Sequence, residues 1–130
     1  MSDFNQKFDE FNDTQDYTSY YSPEDIAQNR AMSIVSYLGI LVLIPMLFGN
    51  KQGYIRFHVS QGFTLAIAEV ISGIIFGIMG LIPILRILVY LLSSLVTLAF
   101  IIFSVIGIIN AYNGNAKELP VFGKIHLIHY

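Results

Sequence analysis

Three long apolar stretches separated by short polar clusters organise the chain from residue 31 onward. Ala31 to Phe48 contains eighteen residues without a charge, a length that covers about 27 Å as an α-helix and nearly matches a hydrocarbon core of about 30 Å. The cluster "GNKQGYIR", residues 49–56, has two glycines, Asn50 and two cations, which predict a short loop between antiparallel helices. A second apolar run, 57–81, ends at "LIPILR", where Pro83 cannot continue a helix interior and Arg86 marks a return to the interface. The third run, 87–109, leads into "NAYNGNAKELP", an exit loop of asparagines, glycine and proline. The predicted fold is all-α: an integral membrane three-helix bundle with spans at 31–48, 57–81 and 87–109, inside a membrane domain of residues 23–130.

Ahead of these runs, residues 1–22 predict a disordered acidic tail, rich in Phe and Tyr but nearly free of aliphatic residues. Seven of the nine acids lie in the first 25 residues, opposed only by Lys7. The tail's aromatic spacing fits either a partner-docking segment or a plain solubilising tail, and Tyr17, Tyr20 and Tyr21 are available to modification. It ends at "SPED": Ser22 can accept from the Asp25 amide, Pro23 suits the first helical position, and Glu24 with Asp25 offsets the positive helix end. These polar residues do not resemble a cleavable signal, so insertion is expected to use an internal span.

Composition supports a nonaqueous home: 55% of residues are hydrophobic and 12% charged, and the mean hydropathy is +0.62. One domain of this length cannot wrap three all-round apolar helices in polar layers, so the expected partner is a lipid bilayer and the expected location a bacterial plasma membrane, crossed several times. Three spans would put the two termini on opposite sides. Lys51, Arg56, Lys117 and Lys124 then face Arg30 and Arg86 across the membrane, which sets the first group inside and the acidic tail outside. Seven Lys and Arg in a chain of net charge −2 exclude a nucleic-acid footprint. With no cysteine there are no thiolate metal sites or disulfides.

Between Arg56 and Arg86 the only other charged or imidazole side chains are His58 and Glu69. On a helix His58, Gln61, Gly62, Leu65, Glu69, Ser72, Gly73, Phe76 and Gly80 fall within about 60° of one line. Gly62 with Ala66, and Gly73 with Gly77, add small residues four apart at the edge of this face, which permits close approach of another helix. Glu69 lies about 16 Å beyond His58 along the axis, deep in the bilayer. Two readings stand there: a proton, ion or substrate path, or an acid that ties helices together through Ser36, Tyr37, Ser93, Ser94 or Thr97. Arg56, His58 and Gln61 form a helix-entrance motif, either an interfacial anchor or a phosphate or carboxylate site. His126 and His129 lie three apart without a supporting acid cluster, and no metal site is expected.

No nucleophile elbow, phosphate-binding glycine loop, zinc-protease helix or paired carboxylate occurs, so neither an enzyme nor a cofactor is expected. The stretches "NRAMSIVSYLGILVLIPML", "RFHVSQGFTLAIAEVI" and "GIINAYNGNAKELPVFGKI" resemble bacterial small membrane proteins of the Tic-twenty-like, chloroplast import component-like family. The resemblance covers residues 26–128; its entrance motif falls on Phe57, His58, Gln61 and Gly62, and its closing motif on Asn113, Gly114, Pro120 and Gly123. It implies a multi-pass helical bundle and, by remote analogy, a part in protein translocation. The function expected first is a nonenzymatic subunit or accessory factor of a membrane complex, associating with itself or another membrane protein. The alternatives are a protein-, proton- or ion-translocating conduit using Glu69, and a membrane sensor or immunity protein that uses its acidic tail.

Overall fold

A computed structural model describes residues 6–7, 15–49 and 53–122. Four α-helices form among them: α1 (Pro23–Val35), α2 (Leu43–Phe48), α3 (Tyr54–Met79) and α4 (Arg86–Tyr112). The described residues contain no strand beyond an isolated antiparallel bridge between Asp16 and Lys117. α1 starts as the local sequence requires, with the Asp25 amide donating to Ser22 Oγ at 3.1 Å and Pro23 in the first turn.

α3 and α4 are the two helices long and apolar enough to cross a membrane, with mean hydropathy of 2.0 and 2.6 over their most apolar stretches. Only 17% and 11% of those stretches are buried, whereas the core helix of a soluble protein is mostly buried. The helices form an antiparallel hairpin through a tight turn at Gly80–Leu85, where Pro83 opens a 3₁₀ turn. Val70, Ile74, Ile78, Leu91, Leu95 and Leu98 point outward from it.

The run expected to be one span, 31–48, is divided. α1 stops at Val35, Gly39 takes φ +63°, a 3₁₀ turn covers Gly39–Val42, and α2 follows. Two residues explain the division. Gly39 supplies a left-handed backbone that other residues adopt with difficulty. Pro45 falls in the first turn of α2, where its missing N–H costs nothing, whereas inside one continuous helix it would remove a hydrogen bond and clash with the preceding turn.

The divided segment descends along α3 and returns. Ser36 crosses α3 at Gly62, Gly39 lies beside Glu69, Val42 and Leu43 share a cleft with Phe63 and Ala66, and Gly49 is back beside Ile55. The segment therefore begins and ends near the start of α3. Its termini-side neighbours meet there too: Tyr17 N–H donates to Ala116 O at 2.8 Å and Glu118 N–H to Gln15 O at 3.0 Å. Two expectations change accordingly. The chain on either side of the helices comes together at one end of the hairpin rather than at opposite ends, and residues 15–22, assigned to a disordered tail, are packed. Tyr17 lies 5.7 Å from the Phe57 ring, and Tyr21 lies 6.1 Å from Tyr54. Burial, with Asp25 nearby, pushes the Tyr21 phenol above its ordinary pKa and keeps this aromatic contact uncharged.

Most buried side chains gather at that same end, hereafter the head. One cluster joins Tyr37, Leu65, Ile106, Ala111 and Leu119; a second joins Tyr54, Phe57 and Ala116. Two glycines permit this packing. A Cβ on Gly62 would lie 1.8 Å from the Ser36 carbonyl oxygen, and one on Gly107 would lie 2.2 Å from the Tyr37 ring. Helix propensity favours alanine over glycine by about 1 kcal/mol, but a backbone oxygen at that distance cannot move aside. Gly62→Ala and Gly107→Ala should each lower stability by about 1–3 kcal/mol. Gly73→Ala, with nothing within 4 Å of its new methyl group, should leave stability unchanged or raise it by up to about 1 kcal/mol. Denaturation of the detergent-purified variants, followed by circular dichroism, checks both directions.

Candidate functional site

The head contains a buried polar latch built on the first three turns of α3. His58 is wholly buried, with Nε2 at 3.0 Å from the Asn115 carbonyl oxygen and Nδ1 at 2.6 Å from the Tyr37 hydroxyl. A carbonyl can only accept, so Nε2 carries the proton and the Tyr37 hydroxyl donates to Nδ1. One turn on, Gln61 Oε1 accepts from the Leu119 amide at 2.8 Å. One turn back, the Tyr54 hydroxyl donates to the Ala111 carbonyl at 3.0 Å. Spacing of three and four residues thus aims Tyr54, His58 and Gln61 along one face of α3, where they hold the chain that leaves α4.

The start of α3 is closed by a neighbour. Gly53, at φ +89°, offers no side-chain cap, and the Tyr54 amide instead donates to Asp25 Oδ2 of α1 at 2.9 Å. Asp25 Oδ1 accepts from Asn29 at 2.7 Å. A carboxylate here satisfies an orphan amide and opposes the positive end of the helix dipole. Of the entrance motif, then, His58 and Gln61 face into the latch, while Arg56 is half-buried on a neighbouring face of the helix.

Glu69 lies away from the latch, in a groove between α3 and α4 of about 650 Å³. The groove is lined by Glu69 with Tyr37, Ser93 and Thr97, three of the five residues considered as its bonding partners, though no hydrogen bond joins them to its carboxyl, and by Ser72 and Ser104. Ser36 and Ser94 do not line it; Ser36 Oγ is 3.4 Å from the Met32 carbonyl and Ser94 Oγ is 2.7 Å from the Tyr90 carbonyl. A smaller apolar cleft on the other side of Glu69 contains Phe63, Ala66 and Val42. Among the four small residues assigned to helix packing, Gly62 is filled by Ser36, Ala66 meets the α2 side, and Gly73 and Gly77 have open space above them. No group of three or more His, Asp or Glu able to hold a metal occurs among the described residues. His126 and His129 lie outside the described residues, as does Gly123.

Sequence reasoning missed Tyr37, Gly107 and Asp25 as organising residues. Asp25 was legible as a first-turn acid, but nothing local says that it also caps a helix 29 positions away.

Removing the latch should reveal its cost. Tyr37→Phe leaves His58 Nδ1 without its donor and should destabilise by about 1–3 kcal/mol. His58→Leu orphans the Tyr37 hydroxyl and leaves the Asn115 carbonyl only the Tyr54 hydroxyl at 3.5 Å, and should cost more, about 2–5 kcal/mol. The double variant should lose less than the sum, because the two changes share one bond. Chemical denaturation in detergent measures all three.

The chain matches the model of the MamF and MmsF proteins, the magnetosome magnetite crystal formation protein family, over residues 28–126. Neither a curated protein nor a solved structure matches it. The family match corrects the resemblance to Tic-twenty-like proteins. The residues that carried that resemblance have structural work that explains their pattern: His58 and Gln61 form the latch, Gly62 admits Ser36, and Gly114 turns the chain at φ +77°. Such residues suit any helical hairpin closed in this way and do not separate one family from another. The match instead runs through the re-entering segment, both long helices and the exit loop, and the chain belongs to the magnetosome magnetite crystal formation protein family.

Proposed function

We propose that the protein is a nonenzymatic integral protein of the magnetosome membrane that contributes to magnetite crystal formation as a subunit of a membrane assembly. The family match supplies the process. The observation that carries the membrane reading is the outward apolar surface of the α3–α4 hairpin, most of which has no cover within the chain. In water this surface would cost about 25 cal/mol for each Å²; in lipid it costs nothing.

In this reading α3 and α4 cross the bilayer, while residues 23–49 dip in from the head side and return. Irregular backbone at membrane depth is tolerated where protein covers it, and α3 covers Gly39. Arg30, Arg56 and Lys117 lie on the head side and Arg86 at the tip, so the head faces the cytoplasm by the distribution of cations near the spans. The far side then receives only the short apolar turn at 80–85 and Arg86. That turn has no acid with which to hold iron or a mineral face. The contribution to crystal formation is accordingly made through membrane assembly, with Gly73 and Gly77 offering the open close-approach positions.

Three measurements test this reading. The chain has no cysteine, so single cysteines at the exposed positions Tyr20, Ile84 and Asn113 can be probed with a membrane-impermeant maleimide; 20 and 113 should label from one side and 84 from the other. Labelling of 20 and 113 from opposite sides would restore an odd number of crossings and refute the hairpin topology. Gly73→Leu with Gly77→Leu should reduce the oligomer size in mild detergent without lowering helicity. In a magnetite-forming host, replacing the native gene with this double variant should change crystal number or size by electron microscopy; crystals identical to wild type would reject the assembly role.

A further inference from the structure

We infer that the α3–α4 groove is a binding site, opening sideways into the bilayer, for an amphiphile with a hydrogen-bond-donating head, and that Glu69 receives that head. The site goes beyond the assembly role, which rests on Gly73 and Gly77 and does not use the carboxyl.

Three observations converge on it. First, the groove's volume, about 650 Å³, falls within the range of small-molecule sites, and its lining has their usual composition: an apolar and aromatic wall with a few polar groups. Phe76 and Phe100 stand on opposite helices with Ile101 and Val105, while Glu69 and a few hydroxyls supply the polarity. Second, Glu69 is only partly buried and its carboxyl makes no hydrogen bond or ion pair among the described residues. Polar groups at membrane depth otherwise pair with one another or with backbone. Glu69 lies about 22 Å along α3 from Tyr54 and about 15 Å from Met79, and Thr97 lies about 16 Å along α4 from Arg86, so the polar groups share one level of the hairpin.

Third, no hydroxyl around the groove bonds the carboxyl, although Ser72, Thr97 and Ser104 line it. The Ser93 hydroxyl, 3.3 Å from the Tyr90 carbonyl, is directed back to its own helix, a common use of Ser in apolar helices. Tyr37, whose ring edges the groove, has its hydroxyl engaged with His58. The groove thus presents a carboxyl acceptor within an apolar trough and lacks a committed partner for it. A metal ion fits poorly, because one carboxyl without a second acid or imidazole is a weak ligand set. A peptide helix is too wide for a trough of this volume, since a helix with side chains is about 10 Å across. A single alkyl chain with a compact amine or hydroxyl head fits both the shape and the missing donor. Exposed Gly73, Thr97 and Ile101 at the rim leave a lateral route from the lipid.

The chain contains no tryptophan, so a single Trp can report occupancy. In detergent-purified full-length protein, Phe76→Trp places the reporter in the groove, and Ile78→Trp places it on the outward face. Quenching is titrated with a brominated dodecylamine and with the matching brominated dodecanol. Binding is shown by saturable quenching of the groove reporter at concentrations at least tenfold below those that quench the outward one. Glu69→Leu in the Phe76→Trp background should raise the half-quenching concentration at least tenfold. Should Phe76→Trp fail to fold, by circular dichroism, Phe100→Trp reports from the opposite wall. Glu69→Gln distinguishes the head: loss of the amine alone identifies a cationic head, and retention of the alcohol identifies a neutral one. Equal quenching of groove and outward reporters by both probes, or binding indifferent to Glu69→Leu, overturns the site.

Discussion

The architecture depends on one close crossing, where the turn after α1 presses against α3 at Gly62 and the Tyr37 ring lies flat against α4 at Gly107. A side chain at either glycine would occupy space already held by the Ser36 carbonyl or by the ring. With both positions open, Tyr37 lies between the two long helices and its hydroxyl reaches His58. His58 in turn fixes Asn115, and the same face of α3 fixes Ala111 and Leu119. One wedge therefore sets the approach of three helices and the course of the chain beyond α4. The hydrogen bonds add direction to it, since the buried His58, Gln61 and Tyr54 groups are held to particular carbonyl, amide and hydroxyl partners.

That crossing also decides how the chain meets a membrane. Because the wedge lies near the start of α3, packing is concentrated at the head, and the far halves of α3 and α4 keep their apolar faces outward. The groove with Glu69 lies between those far halves. The capping of α3 by Asp25 strengthens the head, with a carboxylate from α1 replacing the cap that Gly53 cannot provide. Stability and openness are thus distributed along one axis: a polar, tightly bonded head and a loosely packed apolar shaft.

The all-helical class and the two long helices were legible because uninterrupted apolar runs of more than twenty residues have few other solutions. The start of α1 was legible for the same local reason, since Ser22, Pro23 and Asp25 act within one turn. The 31–48 run misled because hydropathy counts residues and ignores backbone: Gly39 and Pro45 lie six apart within it, and together they permit a turn and a restart. Their presence was the available signal. Glu69's surroundings were only partly legible: Tyr37, Ser93 and Thr97 of the five hydroxyls considered line its groove, but the sequence could not show that Ser93 and Ser94 turn to their own helix. The docking of residues 15–22 was not legible at all. Its bonds join Gln15 and Tyr17 to Ala116 and Glu118, and no local pattern encodes a pairing across nearly the whole chain.

The return of both flanking segments to the head bears on how a protein of this kind influences a crystal. The four acids of the described head are Asp16, Glu24, Asp25 and Glu118, whereas the tip turn has none. If crystal growth were controlled by direct acid contact, the acids would have to lie on the mineral side. The cations Arg30, Arg56 and Lys117 share the head with them, and cations near membrane spans favour the cytoplasmic side far more strongly than acids oppose it. Charge distribution and the proposed topology therefore favour the same division of labour: in that proposal the head meets soluble or membrane partners, and the apolar shaft meets lipid and neighbouring helices.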